Sequence, residues 1–304
     1  MSEFDDPEIF RTALESLQTG LYLVDRDQKI LFWNDGAERV TGYLRQEVVG
    51  RFCRDNLLAP DYAKKSVLHD ASFSLASVLR DGKPLFAETC LRHKAGHRVP
   101  VRIRAVPIRN RQGAIIGAAE SFEESYSASD FERSHTKLAG HNCLDLATGV
   151  FNRRFTLMFL RENLEAYAEH LTPFSILSAN VDGMVDLKSK YGLGVISGAL
   201  TVVARTLENG LHPADFLGCL SEGKFLAILT ECNSAQARKA AERLRKMVGS
   251  SKIQWWGDEV PLTASWGGAG AKPGDTLESI LERAEKSLGE SIAAGGDRVT
   301  VQTE

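Results

Sequence analysis

The feature that most restricts this chain is a change of rhythm between residues 124 and 145. Before it, short β-prone runs are separated by turn chemistry. Gly20–Val24 and Lys29–Trp33 flank Asp25-Arg26-Asp27-Gln28, and Lys83–Arg92 follows Asp81-Gly82. Arg98–Ile108 follows Lys94-Ala95-Gly96-His97, and Ala114–Phe122 follows Asn110-Arg111-Gln112-Gly113. Such runs joined by short loops predict a helix followed by an antiparallel meander with helices inserted. After the change, helical and strand patterns alternate. Helices are expected at Asn152–Ala168, Val195–Leu207, Ser234–Val248 and Leu277–Ala293. Strands are expected at Phe174–Leu177, Phe216–Leu220, Phe225–Leu229, Ile253–Trp256 and Leu262–Trp266. The expected fold class is α+β: a five-stranded antiparallel sheet with helices, then an α/β sandwich with a central sheet flanked by helices. A length of 304 residues suits two domains that each bury a core.

Charge excludes some partners. Thirty-seven basic against 40 acidic residues leave a formal charge of −3, so neither nucleic acid nor an anionic membrane is an expected partner. The opening MSEFDDPEIF is acidic and lacks an apolar stretch, and no window reaches the ~18 apolar residues of a membrane span. The five cysteines form no CxxC pair and are expected as buried, reduced thiols, which fits a cytoplasmic protein. Residues 125–144 are polar, with Phe131, Leu138 and Leu144 thinly spaced along them. Two readings stand: a helical connector that pairs with its copy in a homodimer, or a solvated linker helix.

Residues 14–124 resemble a PAS domain, a sensory module on a five-stranded antiparallel sheet. The resemblance rests on Gly20–Asp25, Trp33-Asn34 with Ala37-Glu38, Thr41-Gly42-Tyr43, Glu47–Gly50, His93–Val101 and Gly113–Gly117. It implies a sensory role for residues 1–124 and leaves the ligand or stimulus unnamed. Cys53 and His69 are the candidate pocket residues. Gly50-Arg51-Phe52-Cys53-Arg54 lies where a flavin-binding subgroup carries its reactive cysteine, but Phe52 and Asp55-Asn56-Leu57 depart from that pattern. The last strand also lacks that subgroup's glutamine. His69 lies where some members place a haem ligand. His93 and His97 flank a turn without an evident third metal ligand. Arg102 and Arg104 alternate with Val101, Ile103 and Ala105, as on a strand with one wet face.

Residues 145–302 resemble a GGDEF domain, the catalytic module of diguanylate cyclases. The matching segments are Asp145–Arg154, Lys190-Tyr191-Gly192, Asp215, Phe225–Leu229, Thr263–Gly267, and Ala284-Glu285 with Ser287-Leu288. The resemblance implies a dimer that joins two GTP molecules into cyclic di-GMP. Attack of a ribose hydroxyl on an α-phosphate needs Mg²⁺ held by hard oxygen ligands. In the family these come from the first Asp of an Asp-Ile-Asp strand end and the acidic third residue of the signature turn. Here the strand end is Asn180-Val181-Asp182 and the turn is Ser221-Glu222-Gly223-Lys224-Phe225. Asn180 and Gly223 therefore replace both metal carboxylates, and Ser221 and Glu222 replace the two phosphate-approaching glycines. The base-reading asparagine and aspartate fall on Lys188 and Ser197, and lysine cannot accept the guanine N–H protons. A phosphate-contacting lysine falls on Ile292, and Gly-Arg-Asn becomes Gly295-Gly296-Asp297.

These departures predict a degenerate domain, residues 145–304, that lacks catalytic residues and acts through dimerisation or an unidentified signalling partner. No cofactor is expected, and Mg²⁺ enters only if cyclase chemistry survives through Asp182 and Glu222. Any retained nucleotide, GTP or cyclic di-GMP, would meet Asp182, Lys188, Ser197 and Glu222. The family's inhibitory Arg-x-x-Asp is His212-Pro213-Ala214-Asp215 here, so His212 replaces the arginine fork while Asp215 persists, either as a site remnant or as a brace for the next strand. Lys224 is expected as an exposed turn residue or as a partner of Asp182 or Glu222.

Overall fold

The computed structural model describes residues 7–53, 75–124 and 143–302. The chain divides into two units with the break after Tyr126, and each buries its own core. His69 and residues 125–142 of the expected linker lie outside the described residues.

In the first unit α1 (Pro7–Glu15) leads into β1 (Gly20–Asp25) and β2 (Ile30–Trp33). The helices α2 (Asp35–Thr41), α3 (Arg45–Val48) and α4 (Leu75–Asp81) come next, then β3 (Leu85–Arg92), β4 (Arg98–Arg109) and β5 (Ile115–Glu124). The sheet order is β2-β1-β5-β4-β3. A simple meander is therefore corrected: the last strand returns beside the first, with Gly20 opposite Phe122 and Tyr22 opposite Glu120. Gly20 makes this possible, because a Cβ there would strike the Phe122 ring. Along β4, buried Val101, Ile103 and Ala105 alternate with exposed Arg102 and Arg104, the expected wet face. Arg104 lies 5.3 Å over the exposed Phe86 ring. On the inner face, Trp33, Tyr22 and Phe122 are fully buried and pack tilted against one another, each contributing roughly 2–3 kcal/mol by burial.

The Trp33-Asn34 pair owes its form to a cap. Asn34 is fully buried; its Oδ1 accepts from the N–H of Leu21 and Ala37 at 2.8 Å each. Its Nδ2 donates to the carbonyls of Leu14 and Thr19 at 3.0 and 2.9 Å. One side chain thus starts α2 and fixes the segment between α1 and β1.

The second unit runs α5 (Arg153–His170), β6 (Ser175–Val181), α6 (Met184–Tyr191), α7 (Leu193–Gly210), β7 (Phe216–Ser221), β8 (Lys224–Leu229), α8 (Ser234–Gly249), β9 (Lys252–Trp255), β10 (Asp258–Pro261), β11 (Ala264–Gly270), α9 (Leu277–Ala293) and β12 (Val299–Val301). Its sheet order is β12-β11-β6-β8-β7, antiparallel except for the β11–β12 pair. One face carries α7 and α8 over Leu177, Ala179 and Val181; the other carries α5 and α9 over Ile176 and Ile228. This is the expected sandwich.

The periodicity did not reveal α6, β10 or β12. α6 buries no residue fully, its Met184, Leu187 and Tyr191 packing only partly against the core along two turns, and β12 has three residues. The strand expected at Ile253–Trp256 pairs only with β10, in a separate hairpin whose tip residue Trp256 is 93% exposed. β11 starts later than expected and continues through Gly267-Gly268, where glycine hides the alternation. Gly267 is required: a Cβ would collide with the backbone of Ala284 and Leu288, so α9 can lie flush on the sheet.

None of the five cysteines, all among the described residues, forms a disulfide; Cys143, Cys219 and Cys232 are buried, but Cys53 and Cys90 are half-buried, which corrects the uniform expectation. Burial pushes the Cys219 and Cys232 thiols up to about 11. Among the described residues no helix is long and apolar enough to cross a membrane.

Candidate functional site

The polar end of β6 is built by strand parity. Leu177, Ala179 and Val181 point into the core under α7 and α8, so Ser178, Asn180 and Asp182 share the opposite face, toward α9. Lys224 on β8 and Ser265 on β11 stand directly opposite Asn180, one on each side. The β7–β8 turn brings Lys224 there: Gly223 takes φ +76°, and its carbonyl accepts from the Val181 N–H at 2.9 Å. Gly223 is therefore needed for the turn itself.

Asp182 is surrounded by donors. Its carboxylate accepts from Thr263 Oγ1 at 2.8 Å, Ser265 Oγ at 2.6 Å and the Asp297 N–H at 3.1 Å. Lys224 pairs with Glu285 of α9, and Ser178 Oγ donates to the other oxygen of that carboxylate at 2.8 Å. Both expectations for Lys224 are thus corrected. Its side chain is 29% exposed, and its partner is Glu285 rather than Asp182 or Glu222. Asn180 uses its amide locally, donating to the Val181 carbonyl at 3.2 Å. Glu222 is exposed at the turn tip.

A cavity of about 460 Å³ lies beside the signature turn. Ser197, Ser221 and Glu222 line it together with Asp145, Arg153 and Leu193. Lys188, Asn180 and Asp182 are not among its lining residues. Lys188 itself is exposed on α6.

A Mg²⁺ ion needs several oxygens free to turn toward it. The carboxylates of Asp182 and Glu285 already serve hydroxyls, a backbone N–H and an ammonium. Among the described residues no group of three His, Cys, Asp or Glu side chains could hold a metal ion. The residues at the end of β6 do not fit the ion.

The second cavity, about 540 Å³, is lined by His212, Asp215, Thr230, Lys239 and Arg243 among others. Asp215 accepts from the N–H of His212 at 2.9 Å and of Thr230 at 3.2 Å, bracing the start of β7 against the end of β8. Burial raises the Asp215 carboxyl, against the pull of those two N–H groups, His212 and Arg243. Arg243 donates through Nη2 to the Gly210 carbonyl at 2.8 Å, and its buried Nε has no hydrogen-bond partner among the described residues.

Cys53 lies in the first unit, where its Sγ is 3.3 Å from the Tyr22 hydroxyl. Sequence reasoning named Glu285 only as a family match and missed its pairing with Lys224, 61 positions away, and it missed Arg243, which α8 brings to the cavity of His212. No local spacing signals either contact. The hydroxyls of Thr263 and Ser265 were findable, since residues two apart on a strand share a face.

Residues 142–298 match the family described as "Diguanylate cyclase, GGDEF domain", and residues 8–120 match "PAS fold". Diguanylate cyclase A of Treponema denticola is 25% identical over 216 residues, which cover 64% of this chain and 58% of that protein. Diguanylate cyclase DosC of Shigella sonnei is 24% identical over 157 residues, covering 51% of this chain and 34% of that one. The chain thus spans well under two thirds of the length of these relatives. The crystal structure of diguanylate cyclase SiaD with its activator SiaC from Pseudomonas aeruginosa matches with a TM-score of 0.53 and 25% identity, over 58% of this chain and 69% of that one.

Proposed function

Because the chain belongs to the GGDEF diguanylate cyclase family and carries a PAS fold ahead of that domain, we propose that it is a signalling protein of the cyclic di-GMP system whose GGDEF domain performs no cyclase chemistry. Residues 1–124 sense, 125–144 connect, and 145–304 deliver the output through dimerisation or a protein partner. The observation that carries this reading is the state of the β6 end. An ammonium–carboxylate pair, Lys224–Glu285, stands there, Asn180 is neutral, and Asp182 is held by three protein donors. A displaced Mg²⁺ site using Asp182 and Glu222 would have to break those bonds and recruit a side chain from the turn tip. The partner is a protein, by analogy with SiaD, whose structure was determined with its activator SiaC.

The test is incubation of the purified full-length chain with GTP and Mg²⁺, with nucleotides read by mass spectrometry. GTP should remain unchanged. Cyclic di-GMP above a control without protein would overturn the proposal.

A second reading, a cyclic di-GMP receptor, is favoured by Arg243. His212 lacks the planar fork that recognises phosphate and guanine, and Arg243 supplies a guanidinium to the same cavity from α8. Calorimetric titration with cyclic di-GMP tests it: binding that is lost in Arg243→Ala supports the receptor, and no heat with the unmodified chain removes it.

A further inference from the structure

The hairpin of β9 and β10 closes through two residues, Trp256 and Gly257, since Trp255 pairs with Asp258. Both hold positive φ, +48° and +93°. Asn-Gly is the pair that suits such a turn, and a bulky side chain is disfavoured in the left-handed region. The fold gives Trp256 little in return: it is 93% exposed, while Trp33 and Trp266 are fully buried. Trp255 packs partly against the core, so close to Gly194 of α7 that a Cβ there would lie 2.8 Å from its ring. One tryptophan thus anchors the hairpin and the other tips it. A large exposed aromatic on a strained turn marks a contact surface.

The cavity of about 460 Å³ beside the signature turn begins next to that anchor, because Leu193, the neighbour of Gly194, lines it. Leu193 is 68% exposed, and the buried Ile196, Leu200 and Leu220 supply apolar walls. The charged lining is Asp145, Glu222 and Arg153. Two carboxylates against one guanidinium disfavour an anion. They suit a group with an apolar body and a hydrogen-bond donor. An indole is such a group, since it donates through Nε1 and has no acceptor. Glu222 is exposed, and Asp145 uses Oδ1 to hold the Thr148 N–H at 3.0 Å and hydroxyl at 2.7 Å.

We propose that the Trp256 tip of one copy enters the cavity beside the signature turn of a second copy, and that the reciprocal insertion closes a two-fold pair of C-terminal domains. The inference rests on the reading that this domain acts through dimerisation, and it names the surface. Tip and cavity both border the start of α7, so one two-fold axis can exchange them. Charge agrees with the pairing. Lys252 bonds Glu259 at 2.7 Å, which leaves Asp258 as the exposed acid beside the tip. The exposed Arg153 of the second copy stands at the cavity to meet it. Reciprocal insertion closes after two copies, whereas one-way insertion would add copies without end.

The test follows the full-length chain by sedimentation across concentration, with acrylamide quenching of tryptophan fluorescence read alongside. The mass should double, and one tryptophan should pass from quenchable to protected as it does. Trp256→Asn restores the favoured turn pair. In dilute solution it should unfold at a higher temperature than the unmodified chain, yet it should pair at least about thirtyfold more weakly. Leu193→Glu, at an exposed position, should weaken pairing in the same way. Mixed together, the two variants should pair better than either alone, because one supplies the tip and the other the cavity. The proposal is overturned if the chain stays monomeric at roughly 100 μM, well above the micromolar range of weak standard interfaces. It is equally overturned if pairing survives both variants, if the mixture gains nothing, or if assembly continues past two copies. A Trp256→Asn chain less stable than the unmodified one would make the indole structural and overturn it too. None of these readouts involves nucleotide. Cyclic di-GMP formation in the GTP incubation would leave the pairing standing, and loss of the pairing would leave the absence of cyclase chemistry standing.

Discussion

Asp182 and Lys224 look interchangeable as charged residues near one turn, yet their surroundings assign them different weights. Asp182 ties together Thr263, Ser265 and the Asp297 backbone, and truncating it strands all three donors. Asp182→Ala should lower the stability of the C-terminal unit by about 2–3 kcal/mol, measured by urea unfolding. The loss should be the same with and without Mg²⁺; a Mg²⁺-dependent loss would instead make Asp182 a metal ligand. Lys224 and Glu285 are both about a third exposed, so water screens their pair. Lys224→Ala should cost about 1 kcal/mol or less in the same measurement. Lys224→Glu should cost more, because it sets two carboxylates against each other. Neither variant should form cyclic di-GMP.

At the scale of elements, two contacts fix how helices meet sheets. Asn34 satisfies five backbone groups from inside the core, and removing it orphans the N-terminus of α2 and the chain before β1 together. Asn34→Ala should destabilise the N-terminal unit by about 3 kcal/mol, and Asn34→Asp, which lacks the amide donors, should recover only part of it. Gly267→Ala should push α9 off β11 at a cost of about 3 kcal/mol, seen as faster amide exchange in Leu277–Ala293. Alternation and turn chemistry made most of these elements legible in the sequence. They could not convey that β5 returns to β1, because that pairing joins residues about a hundred positions apart through Gly20 and Phe122. The site was legible by what it lacks, at Asn180 and Gly223. What stands there instead was not: Glu285 reaches Lys224 only because α9 lies flat against the sheet, and the buried setting of Glu120 depends on a strand order that a meander does not have.

For the whole molecule, separate cores imply separate unfolding events. Calorimetry should resolve two transitions, and pH should move the N-terminal one through Glu120. Its folded value of about 7 lies above the ordinary 4.5, so the stability linked to its neutral form is complete below pH 4.5 and is lost as pH rises through 7. Linkage puts that loss at roughly 3 kcal/mol. Glu120→Gln should remove the difference between pH 5 and pH 8 in that transition, and an unchanged pH dependence would refute the assignment. The pair at Lys224 and Glu285 bears on the lineage as well as on the fold. An acid arriving first at position 224 would press against Glu285 with no cation between them, and loss of Glu285 first would leave the ammonium alone. Each single step meets a less stable protein, so the two positions hold each other in place. The arrangement biases exchange rather than barring it: a neutral residue at 224 costs little because water screens the pair, whereas an acid there sets two carboxylates against each other.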